Sequence, residues 1–223
     1  MVAKLRAGEV PAGARPCLAA FTLPELAAMS DGLELTFART DTPLTPVFRT
    51  ALGTDFDDLP KGLRDLHGVL ADRRWSGIGR VERGEGLAAR AICFAVGFPP
   101  AAEDVPVTVT MERRGDAEIW VRDFGGRRFR SHLRSAGAPG KGEVTERFGP
   151  LTFRIGLKVV DGRLTYPVLA GRLGPVPLPR WLLPRSETVE AADGAGVKFD
   201  VDVSLPRVGR LVRYRGRLVP SEA

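Results

Sequence analysis

The stretch Val105–Arg134, VPVTVTMERRGDAEIWVRDFGGRRFRSHLR, decides how the chain folds. Val105, Val107, Val109 and Met111 alternate with Thr108 and Thr110, a period of two that marks a half-buried strand. Arg114–Gly115–Asp116 makes a tight turn into AEIWVRDF. Gly125–Gly126 is a two-residue hairpin signal before RRFRSHLR. Three strands joined by two tight turns form an antiparallel meander, since a parallel pair needs a long crossover.

Outward from this segment the pattern continues. Downstream come EVTERF, then LTFRIGLKVV with Leu151, Phe153, Ile155, Leu157 and Val159 alternating, then the Asp161–Gly162 hairpin turn into RLTYPVLAG. PVPLPRWLLPR is a proline-fenced irregular segment around Trp181, and SETVEAA, VKFDVDVSL and RLVRYRGRLV complete the set. Upstream the β pattern begins near Trp75. GLAARAICFAVGFPP (86–100) interrupts it, with Leu87, Ala91, Phe94, Ala95 and Phe98 at helical spacing and Pro99–Pro100 as a stop. Residues 46–68 are helical: PVFRTALG stops at Gly53, and a second helix from Asp57 or Asp58 carries Leu59, Leu63 and Leu66 as its stripe.

The expected fold is α+β and β-rich: a large curved antiparallel sheet or barrel-like meander of about nine or ten strands with a few short helices. A sheet of that many strands tends to curl or close and so remove its edges. A two-layer sandwich is the structural alternative. Residues 46–223 read as a single β-rich domain and residues 1–45 as an arm or connector remnant. In that arm VPAGARP is a linker, Thr22 caps the short helix LPELAAM, and LELTF can form a strand.

Composition bounds the function. With 43% apolar and 27% charged residues the chain is no disordered tail. Cys17 and Cys93 are the only cysteines, so it is no disulfide scaffold, and no Asn is present for N-glycosylation. The net charge of +6 reflects an excess of arginine; only five lysines occur. Absent Asn and Gln point to base composition more than to a nucleic-acid surface, and at 7% the aromatics give no stacking platform. Two arginine-rich stretches stand out, 122–134 and 207–217, as strands able to display charge to an acidic partner. The N-terminus lacks an apolar stretch after its basic residues, and the apolar run Ala91–Phe98 is too short to span a bilayer, so a reduced cytoplasmic protein without a transmembrane segment is expected.

Several stretches resemble a bacterial family of unknown function, found alone or fused C-terminally to saccharopine-dehydrogenase-like proteins. They are VFRTALGTDFDDLPKGLRDLHG, EDVPVTVTMERRGDAEIWVRDFGGRRFRS, ERFGPLTFRIGLKVVDGRLTY, LPRWLLPR and FDVDVSLPRVGRLVRYRG, together spanning about residues 46–220. The resemblance implies no activity, cofactor or catalytic residue. It does imply an oxidoreductase as a partner class. Gly77-Ile-Gly79 lacks the third glycine and the following helix of a dinucleotide fingerprint.

Tests for chemistry return little. Cys17, His67, Cys93 and His132 share no metal-ligand spacing, and no nucleophile elbow exists. Cys93 reads as a buried thiol, and His67 as a helix-end residue. His132 shares a strand face with Arg128, Arg130 and Arg134, facing solvent or an anion. Asp200 and Asp202 share one strand face; if interior, one would carry a raised pKa. No metal, cofactor or catalytic residue is assigned.

One face carries a binding reading. Trp120, Arg122 and Phe124 alternate on one strand, and Phe129 and Ser131 on the next. Apolar area with a few polar anchors is what a ligand cavity needs. In this reading Trp120, Phe124 and Phe129 form a wall and Arg122 anchors an anionic head. Ser131 and Tyr214 are hydrogen-bond partners, Glu146 is an acid within reach of Arg122, and Arg180 and Trp181 line the mouth. The helix at 86–98 is a lid with Phe94 and Phe98 facing the cavity or a membrane. The expected function is non-enzymatic binding of a small, partly apolar ligand. The alternatives are an accessory domain of a dehydrogenase-like oxidoreductase with a filled core, and an enzyme using Glu146 or Asp200/Asp202.

Overall fold

A computed structural model of the chain describes residues 6–8, 22–34 and 44–221. The chain divides into two compact units, Met1–Pro43 and Leu44–Ala223. In the first, α1 (Leu23–Met29) begins at Thr22, whose hydroxyl accepts from the Glu25 backbone while the Glu25 side chain reaches back to the Thr22 N–H. This reciprocal box satisfies two donors that a helix start leaves unpaired. The linker at 10–16, Cys17 and most of the LELTF strand lie outside the described residues.

The second unit opens with two short helices, α2 (Val47–Leu52) and α3 (Lys61–His67), joined through a 3₁₀ turn at Gly53–Phe56. Gly53 ends α2 with φ +61. The second helix starts at Lys61, later than the sequence suggests, because Pro60 suits a helix start and Asp57 and Asp58 fall in a turn. Leu59, Leu63 and Leu66 are buried with Val47, Phe48 and Ala51. Each such Leu or Phe contributes about 1.5–3 kcal/mol.

Fourteen strand segments follow, more than the nine or ten expected, all joined in one antiparallel sheet. They are β1 (Arg73–Arg83), β2 (Ala102–Arg114), β3 (Ala117–Phe124), β4 (Arg127–Ser135), β5 (Glu143–Phe148), β6 (Leu151–Gly156) and β7 (Lys158–Val160). Then come β8 (Arg163–Thr165), β9 (Val168–Leu173), β10 (Val176–Pro177), β11 (Arg185–Ser186), β12 (Val189–Asp193), β13 (Gly196–Leu205) and β14 (Gly209–Ser221). The helix α4 (Leu87–Val96) sits between β1 and β2.

The pairings close the sheet into a meander barrel. From β1 to β5 each strand pairs with the next; β5 pairs with β6. At Leu157 the chain bends from β6 into β7, and at Tyr166–Pro167 from β8 into β9. The two bent strands pair with each other twice, as β6 with β9 and as β7 with β8. Then β8 pairs with β12, β12 with β13, β13 with β14, and β14 returns to β1. These two bends, with the two-residue segments β10 and β11, account for the added segments.

Local sequence explains the turns and the curvature. Gly125 and Gly126 both have positive φ, +59 and +93, as a two-residue turn matched to strand twist requires. Gly79 and Gly216 face each other across β1 and β14. A Cβ on Gly216 would lie 2.4 Å from the Ile78 carbonyl and 2.9 Å from the Phe199 ring. Gly79, one of the two glycines that fail as a nucleotide fingerprint, instead lets β1 pack closely on β14 over an inward aromatic ring.

Strand polarity defines two ends. The floor end carries α2, α3 and the turns at Gly115–Asp116, Asp161–Gly162 and Gly194–Ala195. The lid end carries α4, the Gly125–Gly126 turn, the 174–188 segment and the Pro206–Val208 turn. Between β9 and β13 at the lid end the wall is β10, the 3₁₀ turn Arg180–Leu182 and β11. This proline-fenced patch replaces a regular ladder.

Candidate functional site

The barrel interior holds a cavity of about 380 Å³. Alternation places its wall. Trp120 pairs with Ser131 and Arg122 with Phe129 across β3 and β4, so the sequence-predicted face is the interior one. Trp120, Arg122, Phe124, Phe129, Glu146 and Tyr214 all line the cavity. Phe124 and Phe129 stack at 6.1 Å, and Tyr214 meets Phe124 edge-on at 5.2 Å. Tyr214 makes no hydrogen bond among the described residues, and burial pushes its hydroxyl up to about 12. Ser131 is fully buried behind this wall and accepts from Arg122.

Other expected positions differ. Arg180 and Trp181 do not line the cavity; they border a groove outside the proline-fenced patch, where Arg207 lies over the Trp181 ring at 5.7 Å. Leu178 and Leu182 of that segment turn inward instead. On α4 the buried face is Ala89 and Cys93, with Ile92 and Val96 against the cavity. The helix is thus rotated from the expected stripe: Leu87 and Phe94 are 82% and 80% exposed. Phe98, beyond the αL glycine Gly97, does reach the cavity. Arg83 holds this exit by bonding the Phe98 and Pro99 carbonyls. The Cys93 thiol is buried against the Leu211 carbonyl, and burial raises its pKa.

The charged groups inside the barrel are self-paired. Arg122 Nη1 donates to Ser131 Oγ at 2.8 Å and Nη2 to Glu146 Oε1 at 3.1 Å, with the guanidinium over the Trp120 ring at 5.2 Å. At the floor, His67 Nε2 lies 2.6 Å from Glu190 Oε2 and 3.2 Å from Tyr166 Oη, and the Tyr166 hydroxyl donates to Glu190. The His67 ring lies tilted against Phe48 at 3.9 Å, and its Nδ1 is buried without a partner among the described residues. Below it, Glu118 accepts from the Val47 N–H at 3.0 Å and from Trp120 Nε1 at 3.0 Å.

Two of these carboxylates titrate in opposite senses. Burial works against the charge of Glu190, but the His67 ring and the Tyr166 hydroxyl outweigh it and hold its pKa below the usual carboxylate range. Glu118 is pushed up by burial, its hydrogen bonds to Trp120 and Val47 only partly opposing this. Stability contributed by Glu190 is present above its unfolded pKa and lost as pH falls through the lowered one. Glu118 contributes fully below its unfolded value and loses that contribution as pH rises through its raised pKa. The stability gap between wild type and Glu190→Gln should therefore widen from pH 3 to pH 7 (about the carboxylate window). For Glu118→Gln it should narrow. Urea unfolding across that window reads both slopes.

The outer face neutralises the arginines of β14. Asp200 pairs with Arg213 at 2.6 Å, Asp202 with Arg210 at 2.7 Å, Glu82 with Arg215 at 3.0 Å and Asp193 with Arg217 at 2.7 Å. Asp200 and Asp202 are thus ladder partners of arginines, not an acid–base pair, and the Arg213 bond lowers the Asp200 pKa. The 207–217 stretch therefore displays less free charge than its composition suggests. His132 carries a lowered pKa from burial and from Arg147, Arg130 and Arg134. Among the described residues no group of three His, Cys, Asp or Glu side chains is placed to hold a metal ion, and no helix is long and apolar enough to cross a membrane.

Fold and site together define a meander β-barrel closed by helices at both ends around an apolar cavity with self-paired charges. The chain belongs to the family described as domain of unknown function DUF4166, whose model matches residues 59–218. No curated protein matches it. Among solved structures it is similar to a secretary abundant heat soluble (SAHS) protein from Ramazzottius varieornatus, at 12% identity and a TM-score of 0.37, covering 67% of this chain and 93% of that one.

Proposed function

We propose that the barrel binds one small, largely apolar ligand with a neutral polar group. The observation that carries this reading is the barrel cavity of about 380 Å³, lined by aromatic and aliphatic side chains. Its size falls in the usual range for small-molecule sites, about 300–1,000 Å³. The Tyr214 hydroxyl has no hydrogen-bond partner among the described residues and is offered to the ligand as a hydrogen-bond donor or acceptor. The ligand is read as neutral because Arg122 is already held by Ser131 and Glu146. A carboxylate entering the barrel would also meet Glu146 and Glu190. An accessory domain serving an oxidoreductase would be expected to have a filled interior, and the void counts against that reading. Nothing in the site recommends an enzyme over a binding protein.

Native mass spectrometry of protein purified from cells, then offered a panel of fatty acids and isoprenoid alcohols, tests the proposal. An adduct of small-molecule mass, or uptake of an alcohol in preference to an acid, is the expected result. Val109→Phe, which projects ring volume into the void, should weaken uptake at least about tenfold. Tyr214→Phe should weaken it about fivefold by removing one hydrogen bond. A clean apo mass with no uptake from the panel would sink the reading.

A further inference from the structure

The two faces of the lid-end elements differ in a way the cavity does not explain. Ile92 and Val96 of α4 and Leu182 of the proline-fenced patch look into the barrel. On the same elements Leu87, Phe94 and Trp181 look out, at 82%, 80% and 54% exposure, with Val176 of β10 at 60%. Large apolar side chains this exposed, gathered at one end of a barrel, mark an interaction surface.

The charge at this end is uncompensated. Arg90, Arg127, Arg172, Arg180, Arg185 and Arg207 are on lid-end elements, and none has a carboxylate partner among the described residues. Arg180, Arg185 and Arg207 border the groove that also holds Trp181. The acids of this end are fewer: Glu85, Glu103, Asp104, Asp123 and Glu187, with Glu103 already paired to Arg80 and Asp123 to Arg128. On the barrel side the β14 arginines from Arg210 to Arg217 all have acids. At the floor end the turns and helices carry acids and bases together, and Asp57, Asp65 and Asp116 are paired with Arg49, Lys61 and Arg134. The lid end therefore presents unpaired positive charge where the apolar tips project.

We propose that the lid end docks onto an anionic lipid bilayer. Apolar tips on separate convex elements suit the soft interface of a membrane, where Phe and Leu enter the acyl boundary, Trp sits at headgroup depth and Arg meets phosphate. Each arginine near an anionic surface strengthens attachment about fivefold. Docking there would set the cavity's helical cover and its irregular wall against the bilayer. The proposal does not depend on the cavity being filled: it concerns the outer face alone.

Flotation of the full chain with phosphatidylcholine vesicles, with and without phosphatidylglycerol, tests it. Binding to the phosphatidylglycerol vesicles, reduced by added salt, is expected. Phe94→Asp should weaken it about tenfold or more. Arg180→Glu combined with Arg207→Glu should weaken it at least about twentyfold. Both substitutions are at exposed positions and should leave the unfolding midpoint unchanged. Val160→Asp, an exposed apolar residue at the floor end, should bind as wild type does. The proposal is overturned by absence of flotation, or by flotation that Phe94→Asp leaves unchanged. A dimer that Phe94→Asp dissolves, without vesicle binding, also overturns it and assigns the face to a second copy of the chain.

Discussion

Glu118→Ala is expected to destabilise the protein by about 3–5 kcal/mol, the range for breaking a buried charged network by removing one partner. Glu118 is fully buried. Its two oxygens satisfy the Val47 N–H, the first of α2, and the Trp120 indole N–H, with Arg113 at 3.5 Å from the same carboxylate. Alanine would strand two buried donors and an arginine whose side chain is only 8% exposed. In a domain this size the loss corresponds to a fall in melting temperature of about 6–20 °C. Glu118→Gln should cost clearly less, because the amide oxygen keeps one acceptor in place. Calorimetry and urea unfolding measure both. Equal losses for Ala and Gln would mean that charge rather than hydrogen bonding holds α2 on the barrel floor.

Much of this architecture was legible in the chain because period-two alternation and tight turns are local signals. The Gly125–Gly126 turn fixes the register of β3 on β4, and that register alone places Trp120, Arg122 and Phe124 beside Phe129 and Ser131. Closure was not legible. It depends on β6–β7 and β8–β9 bending so that one hairpin pairs with β5 at one end and β12 at the other, a long-range geometry with no sequence mark. The rotation of α4 was missed for a related reason. Two apolar stripes wrap that helix, and only the small pair Ala89 and Cys93 lets it approach β14 closely.

The floor cluster shows where face assignment by composition fails. In SETVEAA, composition alone would put the polar positions Thr188 and Glu190 on a solvent face. Pairing sets Glu190 opposite Leu164 and Phe199, both inward, so the polar stripe points into the barrel. Only His67 and Tyr166 make that tolerable, and they come from positions 123 and 24 residues away. Glu118, by contrast, carried a readable signal. It lies two residues before Trp120, so the alternation that puts the indole inside puts the carboxylate inside too.

Arg122→Met alone is expected to cost about 3–5 kcal/mol, whereas Arg122→Met with Glu146→Leu should lie close to wild type or above it. The pair is mostly buried, with side chains 16% and 12% exposed, and it faces aromatic rings on two sides. Removing the guanidinium alone leaves the Glu146 carboxylate and the Ser131 hydroxyl in an apolar wall without their donor. Replacing both charges with apolar groups of similar volume removes the desolvation cost together with the attraction. A double-mutant cycle by urea unfolding isolates the coupling. An Arg122 kept free to anchor an anionic head would behave otherwise: Arg122→Met would barely change stability, and the cycle would show no coupling. The ligand assay then separates the two roles. With the charges gone, uptake of a neutral isoprenoid alcohol should persist in the double variant, because the aromatic wall and the Tyr214 hydroxyl are untouched. Loss of that uptake at unchanged stability would return Arg122 to the ligand-contacting set and make the polar group of the ligand an anion.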